Sequence, residues 1–366
     1  KVGLTVATSL YNDESAAKML YALPDNHYLE SWGDANPSSG VYSLMQPTIA
    51  PFFNGRQFQE SMMVWMGQSD YHTYLQNYYS DIDWSKSLHD GYFTRNSNAV
   101  NASSFGASVP SFSLSKGKDI EFEMYEKISM GDGNQANNPW LQELPDPISR
   151  ACWDNYLTIS AATASELGIT NWNVSNGGLN GNMVNLTVNG TSYKNVPVMI
   201  QPGQANGTVS MAVGYGRTAA GKCGNGIGFN AFTLGNGKAT IQVVEGEYEF
   251  AATQLHHTMM GREIIKETTL ADFIKDPQSG NHQEKYATHN GMQPADKVTL
   301  WDEHDHSTGH FWNMSIDLTS CIGCSACVIS CHAENNVPVV GKAEVRKSRD
   351  MHWLRIDRYF SSDMTK

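Results

Sequence analysis

The sequence has no apolar run close to the roughly 18 to 20 residues that a helix needs to cross a bilayer. It also has little basic charge, since 25 Lys and Arg residues stand against 37 Asp and Glu residues and the net charge is −12. Nucleic acid is therefore not an expected partner, because phosphate binding requires a basic face. An acidic surface suits a basic redox partner, although a solvated acidic face is the more usual explanation. We expect any membrane association to come through another subunit.

Cysteine is scarce, with six residues in 366. Cys152 and Cys223 are isolated in sequence, and we expect both to be buried free thiols. The other four follow the spacing C-x2-C-x2-C-x3-C, which is typical of iron–sulfur cluster ligands: Cys321, Cys324, Cys327 and Cys331.

This spacing suits a cubane cluster because three thiolates, each two residues from the next, can surround one cluster from a tight loop. Small residues between them, at 323, 325 and 326, allow backbone N–H groups to approach the sulfides. Zinc also takes four thiolates, but its sites normally use two separated C-x2-C pairs, and disulfide pairing is the remaining alternative. We predict that Cys321, Cys324 and Cys327 bind one [4Fe–4S] cluster. Cys331 is predicted to contribute to a paired cluster, and we expect further clusters in a C-terminal part beyond this chain.

The length predicts two or three domains. A strand at Val2–Thr8 and a helix at Ala16–Tyr21 indicate an α/β region over residues 1–145, and the abrupt start leads us to expect a fragment of a longer polypeptide. A connector with three prolines ends this region. After it we predict a β-barrel over 146–275, a linker over 276–310 and an iron–sulfur domain over 311–366.

Several local patterns predict single elements. Tyr71–Tyr79 is predicted to be an aromatic helix in a core or subunit interface, 96–115 an exposed loop, and 119–130 a strand with one solvated face. In the barrel, Val184–Val188 and Val196–Ile200 are predicted strands joined through an Asn-Gly turn at 189–190. A short helix is predicted at 163–168, with Gly168 as its C-cap.

Other motifs point to sites less specifically. His27, Glu30 and Asp34 suit a metal or acid–base site, although satisfying a loop is the more usual role of such a group. The segment 216–223 nearly matches a phosphate-binding loop, but Cys223 replaces the Mg²⁺-binding hydroxyl and no helix signal follows, so we reject ATP binding. Five histidines of the linker could form a second metal site, although a solvated linker is favoured: His282, His289, His304, His306 and His310.

A resemblance supports this division of the chain. The stretch LP-x-x-H-x-LE-x-WGD at 23–34 resembles the α/β domain of molybdopterin oxidoreductases. The segments 201–203, 213–217 and 228–231 resemble the molybdopterin-dinucleotide-binding barrel of the same family. The resemblance implies a fold of class α/β plus β: a partial Rossmann-like domain, then that barrel, then the start of a ferredoxin-like domain.

The C-terminal part resembles a second family. His332 stands where bacterial ferredoxins have proline, and 333–341 resembles the electron-transfer subunits that accompany molybdopterin oxidoreductases. Strands are predicted at Met314–Leu318 and Met351–Phe360 on either side of the cluster loop. Both families in one chain, with the stretches NNPWLQELPDP and MHWLRIDRYF, resemble the iron–sulfur subunits of bacterial alternative complex III.

That resemblance implies an electron relay in a respiratory quinol:electron-acceptor oxidoreductase rather than substrate chemistry in this chain. The implied partners are a membrane quinol-binding subunit, multihaem cytochrome c subunits and a terminal oxidase, at the periplasmic face of the inner membrane. In that family no molybdenum cofactor is bound. The competing hypothesis is a catalytic molybdenum enzyme, with Arg217, Asn230 and the His27/Glu30 segment as cofactor contacts. A third is a scaffold in which the cluster only stabilises the fold.

Overall fold

A computed structural model describes residues 2–68, 70–97, 106–109, 111, 119–175, 177–281 and 283–361. Most of the predicted loop at 96–115 lies outside these described residues, and so does His282.

The N-terminal region combines short strands with three helices. A parallel pair comes first and a three-stranded antiparallel sheet, in the order β3-β4-β5, follows it. The elements are β1 (Val6–Ser9), β2 (Tyr21–Pro24), β3 (Gly33–Ser38), β4 (Val41–Met45), α1 (Phe58–Trp65), α2 (Tyr71–Tyr78), α3 (Trp84–Asp90) and β5 (Tyr92–Thr94).

Two predictions for this region are corrected. The predicted helix at Ala16–Tyr21 is wrong: only a 3₁₀ turn forms, at Ala16–Lys18, because Tyr21 already begins β2. The layer of parallel strands implied by a Rossmann-like domain is not seen among the described residues before 119, where β1 and β2 are the only parallel pair.

The predicted aromatic helix is confirmed as α2. Asp70 caps its start by accepting the N–H of Thr73 at 2.9 Å. Leu75 and Tyr79 are almost fully buried and pack against Phe93 of β5. The helix therefore packs in the core of the N-terminal region.

The second region is dominated by one mixed sheet, whose strand order is β7-β13-β6-β12-β8-β11-β10-β9. The long β13 also pairs with β10, so the pairings run in a ring from β10 through β11, β8, β12, β6 and β13 back to β10. The elements are β6 (Ile120–Tyr125), α4 (Pro139–Glu143), β7 (Ala151–Cys152), β8 (Leu157–Ile159), α5 (Ala161–Leu167), β9 (Asn171–Asn173), β10 (Leu179–Val188), β11 (Thr191–Ile200), β12 (Thr208–Ala212) and β13 (Gly237–Ala252).

The large sheet confirms a mixed α/β chain; its equivalence to a cofactor-binding barrel stays a prediction. Alternate residues of β10 point inward, and Val184, Leu186 and Val188 are fully buried in the main core. Strand β6 lies before the predicted boundary at 145, yet it pairs with β12 and β13. Residues 120–125 therefore belong to the large sheet.

The predicted turn between β10 and β11 is confirmed. Asn189 and Gly190 both have positive φ, 49° and 82°, as a type I′ hairpin requires. The Asn189 side-chain amide also donates to the carbonyl oxygens of Leu234 and Asn236, at 3.0 and 3.1 Å. The predicted helix is confirmed too, as α5 with Gly168 as its left-handed C-cap.

We expect Gly190→Ala to lower the free energy of unfolding by about 1 kcal/mol, because a side chain is disfavoured at left-handed φ. A Cβ at Gly190 would meet no atom within 4 Å, so the cost comes from backbone conformation alone. Urea denaturation measures it. Gly3→Ala is the matched control, since Gly3 is exposed with equal space and no positive φ. Equal stability of the two variants would contradict the prediction.

The C-terminal region contains little regular structure. Its elements are α6 (Leu270–Lys275), β14 (Lys285–Thr288), β15 (Gly291–Pro294), α7 (Ala326–Asn335) and α8 (Lys342–Val345). Strands β14 and β15 form an antiparallel hairpin within the predicted linker. None of the helices in the described part of the chain has the length and hydropathy that a bilayer crossing requires.

The two strands predicted beside the cluster loop are wrong. Residues 311–318 are extended but unpaired, and Met314 and Leu318 are largely exposed. The segment 351–360 is also unpaired; Arg358 donates its backbone N–H to the side chain of Gln254 at 2.9 Å instead. Apolar alternation produces a strand only where the fold supplies a free edge. The ferredoxin-like domain therefore stays a prediction.

Candidate metal centre

A turn around Asp317 positions the first cysteine. Its carboxylate accepts the N–H of Thr319 and the hydroxyl of Ser320, both at 2.9 Å. Its carbonyl oxygen accepts the N–H of Cys321, also at 2.9 Å. This hydrogen bonding fixes the backbone at the entry to the cysteine run.

Between Cys321 and α7 the backbone reverses through two left-handed residues. Gly323 has φ 68° and Ser325, the N-cap of α7, has φ 61°. No side chain caps this helix start, so its first N–H groups remain free of side-chain acceptors. The positive end of a helix favours nearby negative charge, which suits the thiolate form of cysteine.

Helix α7 has an inner and an outer face. Val328 and His332, one turn apart, are almost fully buried against the rest of the chain. Cys327 and Cys331 are likewise one turn apart, which places them together on an adjacent face. The Asn335 side chain donates to the carbonyl oxygen of Cys331 at 2.9 Å and lies 3.6 Å from its sulfur.

The four thiols of the run are free, with Cys321 and Cys327 exposed and Cys324 and Cys331 half-buried. Among the described residues, no group of three or more His, Cys, Asp or Glu side chains converges as a metal site would. The donor set nevertheless fits an iron–sulfur cluster, because four free thiols lie within one loop and one helical turn beside an uncapped helix start.

Outside the run, Cys152 is a fully buried free thiol, as predicted, and burial raises its pKa. Cys223 is only half-buried, so the prediction of full burial is wrong for this residue. Its N–H donates to the side chain of Asn137 at 2.9 Å.

The segment after α7 is fastened to the large-sheet region by one buried acid. The Glu143 carboxylate, at the end of α4, accepts the N–H of Gly341 at 2.7 Å and that of Val340 at 3.1 Å. It also accepts the indole N–H of Trp153 at 3.0 Å. Trp140 adds a bond from its own indole to the carbonyl oxygen of Val337 at 2.7 Å. The cysteine helix is therefore held close to α4.

A second contact joins the cysteine helix to the segment at 351–360. The imidazoles of His332 and His352 stack with centroids 4.8 Å apart, and His332 Nε2 lies 2.9 Å from His352 Nδ1. Burial lowers the pKa of both rings. A neutral pair can share this bond, since one nitrogen donates and the other accepts.

Residues His27, Glu30 and Asp34 satisfy local structure. His27 and Glu30 form a reciprocal capping box around a 3₁₀ turn, with the His27 N–H donating to Glu30 at 2.9 Å. Glu30 also accepts the N–H of Phe52 at 2.8 Å. Asp34 instead accepts the hydroxyl of Tyr79 at 2.5 Å. Asp34 thus has a partner separate from the other two residues.

We expect His27→Ala to lower the free energy of unfolding by about 1 kcal/mol through loss of the cap, and to leave the metal content of the protein unchanged. Chemical denaturation and elemental analysis measure the two effects. His289→Ala, an exposed histidine outside any cap, is the control and is expected to change neither quantity. Metal loss in the His27 variant alone would reverse this assignment.

The other candidate positions are also engaged. Arg217 forms a salt bridge with Glu14 at 2.7 Å, and Asn230 caps a 3₁₀ turn by accepting the N–H of Phe232 at 3.2 Å. The near phosphate-binding loop forms turns with no helix after it. In the former linker, the rings of His304 and His306 contact each other at 5.0 Å.

Sequence reasoning missed Glu14 and Glu143. A weak signal existed for Glu143, which is a charged residue among Trp140, Leu141 and Leu144 in the connector. For Glu14 no local signal distinguishes it from its acidic neighbour Asp13, because its partners lie 203 to 205 residues away.

Comparison with known proteins gives one local similarity in sequence. Over 43 residues the chain is 44% identical to the iron–sulfur cluster-binding subunit of a menaquinone reductase from Nitratidesulfovibrio vulgaris (strain Hildenborough). The match covers 12% of this chain and 16% of the relative, so the chain spans about a sixth of that protein. No family model matches the chain. Among solved structures, acetylene hydratase from Pelobacter acetylenicus aligns with a TM-score of 0.44 and 15% identity over 58% of this chain and 33% of its own.

Proposed function

We propose that this chain is an electron-relay subunit of a membrane-associated respiratory quinol:electron-acceptor oxidoreductase of the alternative complex III type. The observation that carries the proposal is the run of four free cysteines on one loop and one helical turn. The local similarity to a menaquinone reductase iron–sulfur subunit supports a redox role.

In this proposal the cysteines are ligands and the chain makes or breaks no substrate bond. A [4Fe–4S] cluster supplies one-electron transfer when bound. Cys321, Cys324 and Cys327 would hold one cluster and Cys331 a second. The Asp317 turn and the left-handed residues Gly323 and Ser325 set the direction of the thiols, and the uncapped start of α7 favours their negative charge.

The proposed partners are a membrane subunit that binds quinol, multihaem cytochrome c subunits and a terminal oxidase. The proposed location is the periplasmic face of the bacterial inner membrane, with attachment through the quinol-binding partner. The acidic net charge of −12 suits a basic redox partner and disfavours nucleic acid. We further propose that the large-sheet region holds no molybdenum cofactor.

The test is the ratio of molybdenum or tungsten to iron in the purified full-length subunit, by elemental analysis. We expect abundant iron with neither heavier metal. Stoichiometric molybdenum or tungsten would overturn the relay proposal and move substrate chemistry into this chain. Absence of iron after anaerobic purification would overturn the cluster assignment itself.

A further inference from the structure

A glycine-rich loop on the large-sheet region, residues 216–227, is held in shape by its own contacts. Gly216 donates its N–H to the carbonyl oxygen of Ile227 at 2.7 Å. Within the loop, the Asn225 side-chain oxygen accepts the N–H of Ala220 at 2.7 Å. These bonds close the loop on itself, so its shape requires no group from elsewhere in the chain.

The loop directs four donors at one carboxylate. Arg217 donates Nε–H at 3.0 Å and a terminal N–H at 2.7 Å to Glu14. The backbone N–H groups of Thr218 and Ala219 donate to the same carboxylate at 2.7 and 2.9 Å. The remaining guanidinium nitrogen donates to the carbonyl oxygen of Gly133 at 2.7 Å, which fixes the plane of the guanidinium.

This donor set is that of an oxyanion site rather than of an ordinary surface ion pair. A bidentate guanidinium and two adjacent backbone N–H groups match the two oxygens of a carboxylate or the edge of a phosphate. Hydrogen bonding to Arg217 holds the pKa of Glu14 far below its ordinary value, so this carboxylate is ionised throughout the physiological range.

An open cleft of about 400 Å³ adjoins the site, and Arg217 and Ala219 form part of its wall. Asp13 also lines the cleft and disfavours a second negative charge there. Most of the other lining side chains are amides that both donate and accept hydrogen bonds: Asn134, Gln135, Asn137 and Asn138. The cleft therefore suits a polar body that carries a single anionic group.

We propose that Arg217, Thr218 and Ala219 form an oxyanion-binding site that Glu14 occupies as a built-in ligand. A small molecule with one carboxylate and a polar body fits the site and cleft when Glu14 is displaced. Displacement releases the 3₁₀ segment Ala16–Lys18, which follows Glu14, from the loop. The site is independent of the cysteine run and of the redox proposal.

The test is rescue of Glu14→Ala by formate in the full-length protein. Removing the carboxylate leaves four donors around a vacated position that a formate ion fits. We expect formate at about ten times its Kd to raise the Tm of this variant by about 2 °C over chloride at equal ionic strength, because ligand binding to the folded state stabilises it. Saturable formate binding by calorimetry gives the Kd. Wild-type protein, whose site is filled, is expected to show neither effect.

Glu14→Gln is the matched control, because its amide fills the same volume and formate should not enter. The double variant Glu14→Ala/Arg217→Ala should lose the formate response, since the guanidinium supplies two of the four donors. If Glu14→Ala is recovered only by refolding, a higher refolding yield in formate than in chloride supports the proposal. An equal response of the Glu14→Ala and Glu14→Gln variants, or equal refolding yields in the two salts, overturns it.

Discussion

Replacing Cys324 with alanine is expected to remove one cluster from the full-length protein, with a loss of about four iron atoms per chain and of one electron paramagnetic resonance signal in the reduced state. Cys324 is the middle ligand of the three predicted to hold that cluster. Alanine cannot replace a thiolate, and two remaining thiols do not hold a cubane. Quinol-dependent turnover of the assembled complex should fall with the signal.

The fold should survive this change. Cys324 lies in the loop before α7, outside the strands of the large sheet, and it forms no disulfide. Circular dichroism should therefore match the wild type. Cys223→Ala is the matched control, since Cys223 is also a half-buried free thiol but lies outside the run. A full resonance signal and full iron content in the Cys324 variant would disprove the ligand assignment, and equal losses in both variants would show a non-specific effect.

Replacing Glu143 with alanine is expected to lower the free energy of unfolding by about 3 kcal/mol or more. Its carboxylate is almost fully buried and accepts three N–H groups, from Trp153, Val340 and Gly341. Hydrogen bonds to charged groups contribute about 1.5–3 kcal/mol each, and a buried donor left without a partner adds its desolvation cost. Urea denaturation measures the change.

Hydrogen exchange separates this effect from general destabilisation. The amides of Val340 and Gly341 should lose protection in the Glu143 variant well before those of the central strand β11 do. Glu334→Ala, an exposed acid on α7, is the control and should change stability by less than about 0.5 kcal/mol. Equal stability of the two variants, or unchanged protection at 340 and 341, would refute the role assigned to Glu143.

Elements that depend on near neighbours were predictable from the sequence. The Asn-Gly turn at 189–190 needs only two residues that tolerate positive φ, and the C-cap at Gly168 needs only one. The helix at 71–78 follows from a local cap and a buried stripe. Failures came where the outcome depended on a distant partner, as at 314–318 and 351–360, whose alternating residues found no strand edge.

The sequence by itself determined the chemistry of this protein: four thiols in one short run, a spacing that suits iron–sulfur ligation, and an acidic surface charge. Those properties reside in residue identity and in separations of a few positions along the chain. Only the tertiary structure decided that Glu143 holds the segment after the cysteine helix and that Glu14 fills the loop at Arg217. Both carboxylates meet partners about 200 residues away, and such meetings arise from the packing of the whole chain rather than from any local pattern.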